Sequence, residues 1–203
     1  MKEISKMQYE LNKFILKEKL NLDYEDIING DDKIKSEWFG NFHRAFLAEV
    51  FELEEDYIVN FGYESKNALI EIVDMLHFLF SMGHLIKMDI YRGEIIEKII
   101  KSNVLEFEEN IGEIHYLSGD LYSKYTWKWW SNDIQFNWIE MKDTIDALFK
   151  TIIRLSYWYG FTWKQIKDTY IAKNKVNYER VINGYNSFNK TEDDNLKIIQ
   201  EMK

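Results

Sequence analysis

An all-α fold, a helical bundle, is what this sequence predicts, and three observations carry that expectation. The 203 residues contain no Pro and only 9 Gly, so the chain is poor in residues that break helices or make the tight turns of a β fold. Apolar residues, 46% of the chain, recur at helical spacing through most of its length. Ala68 to Phe80 is apolar on every side of a helix except a strip holding Glu71, Asp74 and His77, the pattern of a helix buried nearly all round. One domain over 1–185 is expected, followed by a polar tail, 186–203, whose composition leaves it free to be mobile.

Taken in order, residues 3–19 read as an amphipathic helix with Ile4, Met7, Leu11, Phe14 and Ile15 on one face. Gln8 and Asn12 lie four residues apart on the edge of that stripe. Paired amides can read the edge of a nucleobase; two half-exposed polar residues are the plainer reading of the spacing alone. Leu20 to Lys35 reads as a polar connection, with a turn at Asn29-Gly30-Asp31-Asp32. Helices follow over about 36–56 and 65–87, joined by a short connection at Asn60-Phe61-Gly62 that lets them run antiparallel.

Residues 89–116 predict at least one further helix, with Ile95, Ile96, Ile99, Ile100 and Val104 on one face. From Tyr116 to Trp138 the pattern weakens: Ser118-Gly119-Asp120 and Ser131-Asn132-Asp133 read as turns around Tyr122, Tyr125, Trp127, Trp129 and Trp130. Core or interface material is the simplest role for those rings, a base-stacking platform the lesser one. Helical spacing resumes from Ile139 to Leu155 and ends near Gly160, and Thr162 is placed to cap the next helix. That helix carries Lys173, Asn177 and Arg180 on one face, about 10 Å from end to end at roughly 1.5 Å per residue, the reach of a sugar with its phosphates. A solvated basic face is the alternative. Asn183-Gly184-Tyr185 ends it.

The formal charge is −9, from 35 acidic and 26 basic residues, which disfavours a nucleic acid polymer as partner. Cysteine is absent, so disulfides, thiolate zinc sites and cysteine nucleophiles are excluded. No long apolar run and no leader pattern at Met1-Lys2-Glu3-Ile4-Ser5 stand out, so a soluble, cytoplasmic protein without membrane attachment is expected.

Two carboxylate pairs organise the middle of the chain. Glu49 and Glu52, and Glu71 and Asp74, are each spaced three apart, which stacks each pair on one helix face. Both lie among apolar residues, and buried carboxylates need a compensating charge. Arg44 and Lys66 are the only basic side chains between positions 40 and 80 apart from histidine. A hard divalent cation with oxygen ligands, Mg²⁺ first among them, is the simplest answer, and a bundle with a four-helix metal-binding core and additional C-terminal helices is the expected architecture.

Four pieces of the chain together resemble one family. Met7-Gln8-Tyr9-Glu10-Leu11-Asn12, Glu49-x-x-Glu52, Glu71-Ile-Val-Asp74-Met-Leu-His77-Phe78, and Tyr170-x-x-Lys173-Asn174-x-x-Asn177-x-x-Arg180-x-x-x-Gly184-Tyr185 occur in the order seen in the dimeric all-α dUTPases, within the MazG-like nucleotide pyrophosphatases. The resemblance implies two or more Mg²⁺ ions held by Glu49, Glu52, Glu71 and Asp74, which would also be the catalytic carboxylates, with Glu49 the first choice to orient or deprotonate the attacking water. It implies Gln8 and Asn12 on uracil, Asn177 on deoxyribose, and Lys173, Arg180 and Tyr185 at the sugar-phosphate end. It further implies a homodimer that converts dUTP to dUMP and pyrophosphate and also accepts dUDP.

Two departures stand beside it: the family's Trp-Lys-x-Trp segment is missing from 57–66, with Trp127-Lys128-Trp129-Trp130 coming later, and Val181 follows Arg180 where Gln is usual. A rival register takes Glu106/Glu109 and Asp143/Asp146 as the metal pairs. Another pyrimidine deoxynucleotide such as dCTP, or a nucleotide-gated regulatory binder with little turnover, are the alternative functions.

Overall fold

The computed structural model describes residues 2–60, 66–88, 90, 99, 105–125, 136–184, 195 and 197–198. Among these residues there are seven helices and no strand: α1 Lys2–Leu20, α2 Tyr24–Asn29, α3 Asp32–Val59, α4 Lys66–Leu85, α5 Phe107–Tyr125, α6 Trp138–Trp158 and α7 Trp163–Ile182. The expected all-α bundle is the observed one.

Helix α4 is its axis. Ala68, Ile70, Ile72, Val73, Met75 and Leu79 are fully buried, so this helix has apolar side chains to offer on every side. Helices α1, α2, α3, α6 and α7 pack against it, and α3 makes its most extensive contact. Asn67–Leu85 is also long and apolar enough to cross a membrane, with a mean hydropathy of 1.4, but 83% of that window is buried inside the protein, as in a core helix. Helices α5 and α6 form a second pair, tied by Arg154 to Asn110 and Glu113 and by Lys124 to Thr144 at 2.9 Å. Helix α5 reaches α3 through Tyr57 stacked on Phe107, 3.6 Å between centroids. Helix α7 lies along α1, with Phe14 and Tyr178 rings 5.0 Å apart.

Two stretches expected to be irregular are helical. Between Leu20 and Lys35, Asp23 and Asp31 accept hydrogen bonds from the Glu25 and Ile34 amides, both at 2.9 Å. The acids that read as a loop are thus the N-caps of α2 and α3. Likewise Ser118-Gly119-Asp120 lies inside α5 and makes no turn. Ser118 is buried there, and Asp120 meets Lys124 one turn on at 2.5 Å and accepts from Thr144 of α6 at 2.9 Å, so Asp120 serves the α5–α6 seam. Tyr125 is core, 4.9 Å from the Phe39 ring, whereas Trp127, Trp129 and Trp130 lie outside the described residues, as does most of 89–104 in the stretch 89–116 that predicted a further helix.

The later boundaries fall where expected. Gly160, at φ +79°, follows the end of α6, and Gly184, at φ +67°, follows α7. Thr162 caps α7 in a reciprocal box with Gln165. Replacing Thr162 with Ala is expected to lower unfolding free energy by about 1 kcal/mol in a denaturant titration, without changing its slope.

Candidate active site

Side chains from α1, α3, α4 and α7, together with Asn195, line one cavity of about 400 Å³. It collects Gln8, Asn12, Glu49, Glu52, Glu71, Asp74, Lys173, Asn177 and Arg180, nine residues singled out in four separate stretches of the sequence. Tyr185, the tenth, lies outside the described residues. Leu11, Ile15, Leu16, Phe42 and Phe78 supply apolar wall.

The carboxylates come from the packed pair α3 and α4. Ligand atoms of Glu49, Glu52 and Glu71 lie within 4.8 Å of one another. Glu71 is 4% exposed, Glu49 half-buried and Glu52 exposed, so the cluster runs from core to solvent. Burial, then the charges of Asp74, Glu71 and Glu52, push the Glu49 carboxyl up to about 9. Burial and the charges of Asp74 and Glu52 raise Glu71 to about 7. Crowded acids that hold their protons this strongly are short of positive charge, as the sequence implied.

Asp74 is placed differently from the other three. Lys173 Nζ lies 2.8 Å from its Oδ2, and His77 Nδ1 lies 3.5 Å from Oδ1. Although burial alone would raise the acid, the hydrogen bond to His77 and the Lys173 charge hold it below the usual carboxylate range. Lys173, expected at the phosphates, thus stands beside Asp74, and its Nζ also donates to Asn195 Oδ1 at 2.8 Å. His77 Nδ1 also meets the Val73 carbonyl at 2.9 Å. Since the carbonyl and carboxylate can only accept, that nitrogen carries the hydrogen. The imidazole stacks on Tyr170, with centroids 4.0 Å apart.

Gln8 and Asn12 are not at the edge of the α1 stripe but within it, 3% and 5% exposed, on a buried face with Ile4, Leu11 and Leu16. Buried amides need partners. Gln8 Nε2 donates to Asn12 Oδ1 at 2.8 Å, and Tyr170 OH donates to Gln8 Oε1 at 2.9 Å. Burial keeps that phenol protonated well above its ordinary range, helped by the negative charge of Asp74.

The rival register is disfavoured by placement. Glu109 accepts from the Glu106 amide, Glu106 meets Trp158 Nε1, Asp146 pairs with Lys150 and Asp143 is exposed. Among the described residues, Glu49, Glu52 and Glu71 are the one group of acids and histidines with ligand atoms close enough to share a metal ion. The residues that sequence reasoning passed over are Tyr24, Ser81 and Asn195, and Tyr170 stood in the C-terminal motif without a role. Ser81 had a signal, since it falls on the polar strip of α4, one turn beyond His77. Asn195 had none, coming from a tail of unremarkable polar composition.

A family model described as dUTPase matches residues 1–185, about nine tenths of the chain. The chain belongs to the dUTPase family. It is accordingly an enzyme, a dUTP diphosphatase of the hydrolase class, and its helical fold is consistent with the all-α members. No curated protein and no solved structure matches the dUTPase chain at a significant level. The matched span covers every described residue that lines the cavity except Asn195.

Proposed function

We propose that this dUTPase hydrolyses dUTP, and also dUDP, to dUMP in a Mg²⁺-dependent reaction, releasing pyrophosphate from dUTP by attack of water. The observation that best supports this reading is a single cavity lined by crowded carboxylates, by a buried amide pair and by Lys173, Asn177 and Arg180.

The residues present fit the metal. Glu49, Glu52 and Glu71 offer hard oxygen donors at chelating distance, and burial and mutual repulsion hold the Glu49 and Glu71 carboxyls up at about 9 and about 7 for want of a cation. Those three would hold Mg²⁺, with Asp74 as the fourth ligand where it exchanges its pairing with Lys173. When bound, the metal supplies Lewis acidity toward the phosphate oxygens and the attacking water.

The chain supplies the rest. Gln8 and Asn12 seat the base in a part of the cavity walled by Leu11 and Phe78. Asn177 binds the deoxyribose. Lys173, Arg180 and Tyr185 hold the sugar-phosphate end, where planar and point cations both suit phosphate oxygens. Glu49, ionised, accepts a proton at its carboxylate oxygen and orients the water in line with the phosphorus. The apolar wall excludes bulk water, which strengthens each of these contacts.

A homodimer is part of the proposal. Phe51, Ile58 and Val59 of α3 and Tyr116 of α5 are each more than half exposed, apolar surface suited to a second subunit.

Turnover of dUTP, dCTP, dTTP, dATP, dGTP and UTP by the purified protein with Mg²⁺, with pyrophosphate resolved from orthophosphate, tests the reading. Selective pyrophosphate release from dUTP is expected. Equal release from dCTP would retire the base assignment, and silence on all six would overturn the enzyme reading in favour of a nucleotide-gated binder. Mg²⁺ with dUMP at a hundredfold excess over Kd is expected to add about 2.7 kcal/mol of stability, read as a rise in melting temperature.

A further inference from the structure

The amide pair is gripped by a hydroxyl to which no role has yet been given. Ser81, fully buried on α4, donates its one hydrogen to the His77 carbonyl at 2.8 Å. Its oxygen can therefore only accept from its other neighbours. Both amide nitrogens reach it, Gln8 Nε2 at 3.2 Å and Asn12 Nδ2 at 2.9 Å. The other hydrogen of Gln8 Nε2 goes to Asn12 Oδ1 at 2.8 Å, and the other hydrogen of Asn12 Nδ2 goes to Tyr24 OH at 3.1 Å. All four amide hydrogens are spent within the protein.

Each amide oxygen, by contrast, keeps a lone pair: Gln8 Oε1 accepts from Tyr170 OH, and Asn12 Oδ1 accepts from Gln8 Nε2. Turning either amide over would set an oxygen against the Ser81 oxygen with no hydrogen between them. In a site closed to water such a clash is costly, so the hydroxyl fixes the orientation of both amides.

We propose that Ser81 is a positioning residue for base selection: by holding both amides with their nitrogens inward, it leaves acceptors only for the ligand. Such a pair accepts the N3–H of a uracil-type imide. Cytosine carries a bare lone pair at N3, which repels an acceptor placed to take the N3–H of uracil, and its one donor, the N4 amino group, lies to the side of that position. The inference deepens the proposed function and rests on its assignment of the base to Gln8 and Asn12.

The test compares kcat/KM for dUTP and dCTP in the full chain with Mg²⁺, for the natural protein, Ser81→Ala and Ser81→Thr. A site built to bond the substrate's N–H should favour dUTP by roughly 10⁴-fold. Ser81→Ala, which frees both amides to turn, is expected to lower that ratio about tenfold or more, through a higher KM for dUTP rather than a lower kcat. Ser81→Thr keeps a hydroxyl and is expected to restore the ratio. Parallel losses on dUTP and dCTP in Ser81→Ala would mean a structural role alone and overturn the proposal. Should the alanine or threonine variant fail to fold, Ser81→Cys, whose sulfur is a weak acceptor, takes its place, read as Kd for dUMP and dCMP: a preference for dUMP equal to that of the natural protein overturns the proposal, and a reduced one supports it. An unchanged ratio in Ser81→Ala beside selective dUTP turnover by the natural protein sinks this inference alone. No dUTP turnover by the natural protein sinks the proposed function, and this inference with it.

Discussion

Glu49→Gln is expected to lower dUTP turnover by about 10³-fold or more while leaving the metal-free protein as stable as before, or more so above neutral pH. The two halves have one cause. In the metal-free protein the Glu49 carboxyl is pushed up to about 9 by burial and by Asp74, Glu71 and Glu52, so at pH 7 it is already neutral and a glutamine mimics it. The same substitution removes the anion proposed to hold the metal and take a proton from water.

The pH dependence follows with a definite sign. An acid at about 4.5 when unfolded and about 9 when folded makes the native state bind more protons over that interval, so stability falls as pH rises through it. Glu71, raised to about 7, adds to the slope between about 4.5 and 7. Asp74 is shifted the other way, and its contribution is lost only as pH falls below the ordinary aspartate range. Thermal midpoints of the metal-free protein are therefore expected to decline from pH 5 to pH 9, less steeply in Glu49→Gln between pH 7 and 9, and Mg²⁺ is expected to flatten the decline in the natural protein. A flat profile without metal, or full activity in Glu49→Gln, would remove Glu49 from the centre of the site.

How much of this was legible in the sequence depended on whether a residue's surroundings were local. The helical fold was, because absent proline and the all-round apolar pattern of Ala68 to Phe80 state it within single segments. The carboxylate pairs were too, since a charge inside such a pattern needs a partner wherever the chain goes. The caps at Asp23 and Asp31 were misread as loop because a helix N-cap and a turn favour the same residue types. Burial of Gln8 and Asn12 was hidden because their partners Tyr24, Ser81 and Tyr170 lie 12 to 162 positions away, and nothing in the α1 pattern announces an amide network inside its apolar face. The same limit applied to Lys173, a residue that reads as one of a basic row. It is 3% exposed, far drier than a phosphate-facing surface cation.

That dryness makes Lys173→Met the substitution expected to cost most in stability, on the order of 3–5 kcal/mol in a denaturant titration, the usual toll for leaving half of a buried ion pair behind. Lys173 and Asp74 side chains are 4% and 16% exposed and 2.8 Å apart, so without the ammonium the aspartate is left, among the described residues, with His77 as its ion-pair partner. Lys173→Met with Asp74→Asn should regain most of the loss, because the unpaired charge is gone; a double variant no better than the single would place the cost in packing or in the Asn195 contact instead. Magnesium turns the same variant into an assay of the ligand set. If Asp74 joins Glu49, Glu52 and Glu71 around the metal, Mg²⁺ supplies the charge that Lys173 no longer provides, and Lys173→Met should recover more stability on adding Mg²⁺ than the natural protein gains. If the two gains are equal, Asp74 is the counter-ion of Lys173 and the three glutamates are the protein's whole share of the metal site. In the first case, binding metal releases Lys173 from Asp74 toward the phosphates; in the second, Lys173 stays where it is and Arg180 carries the phosphate end.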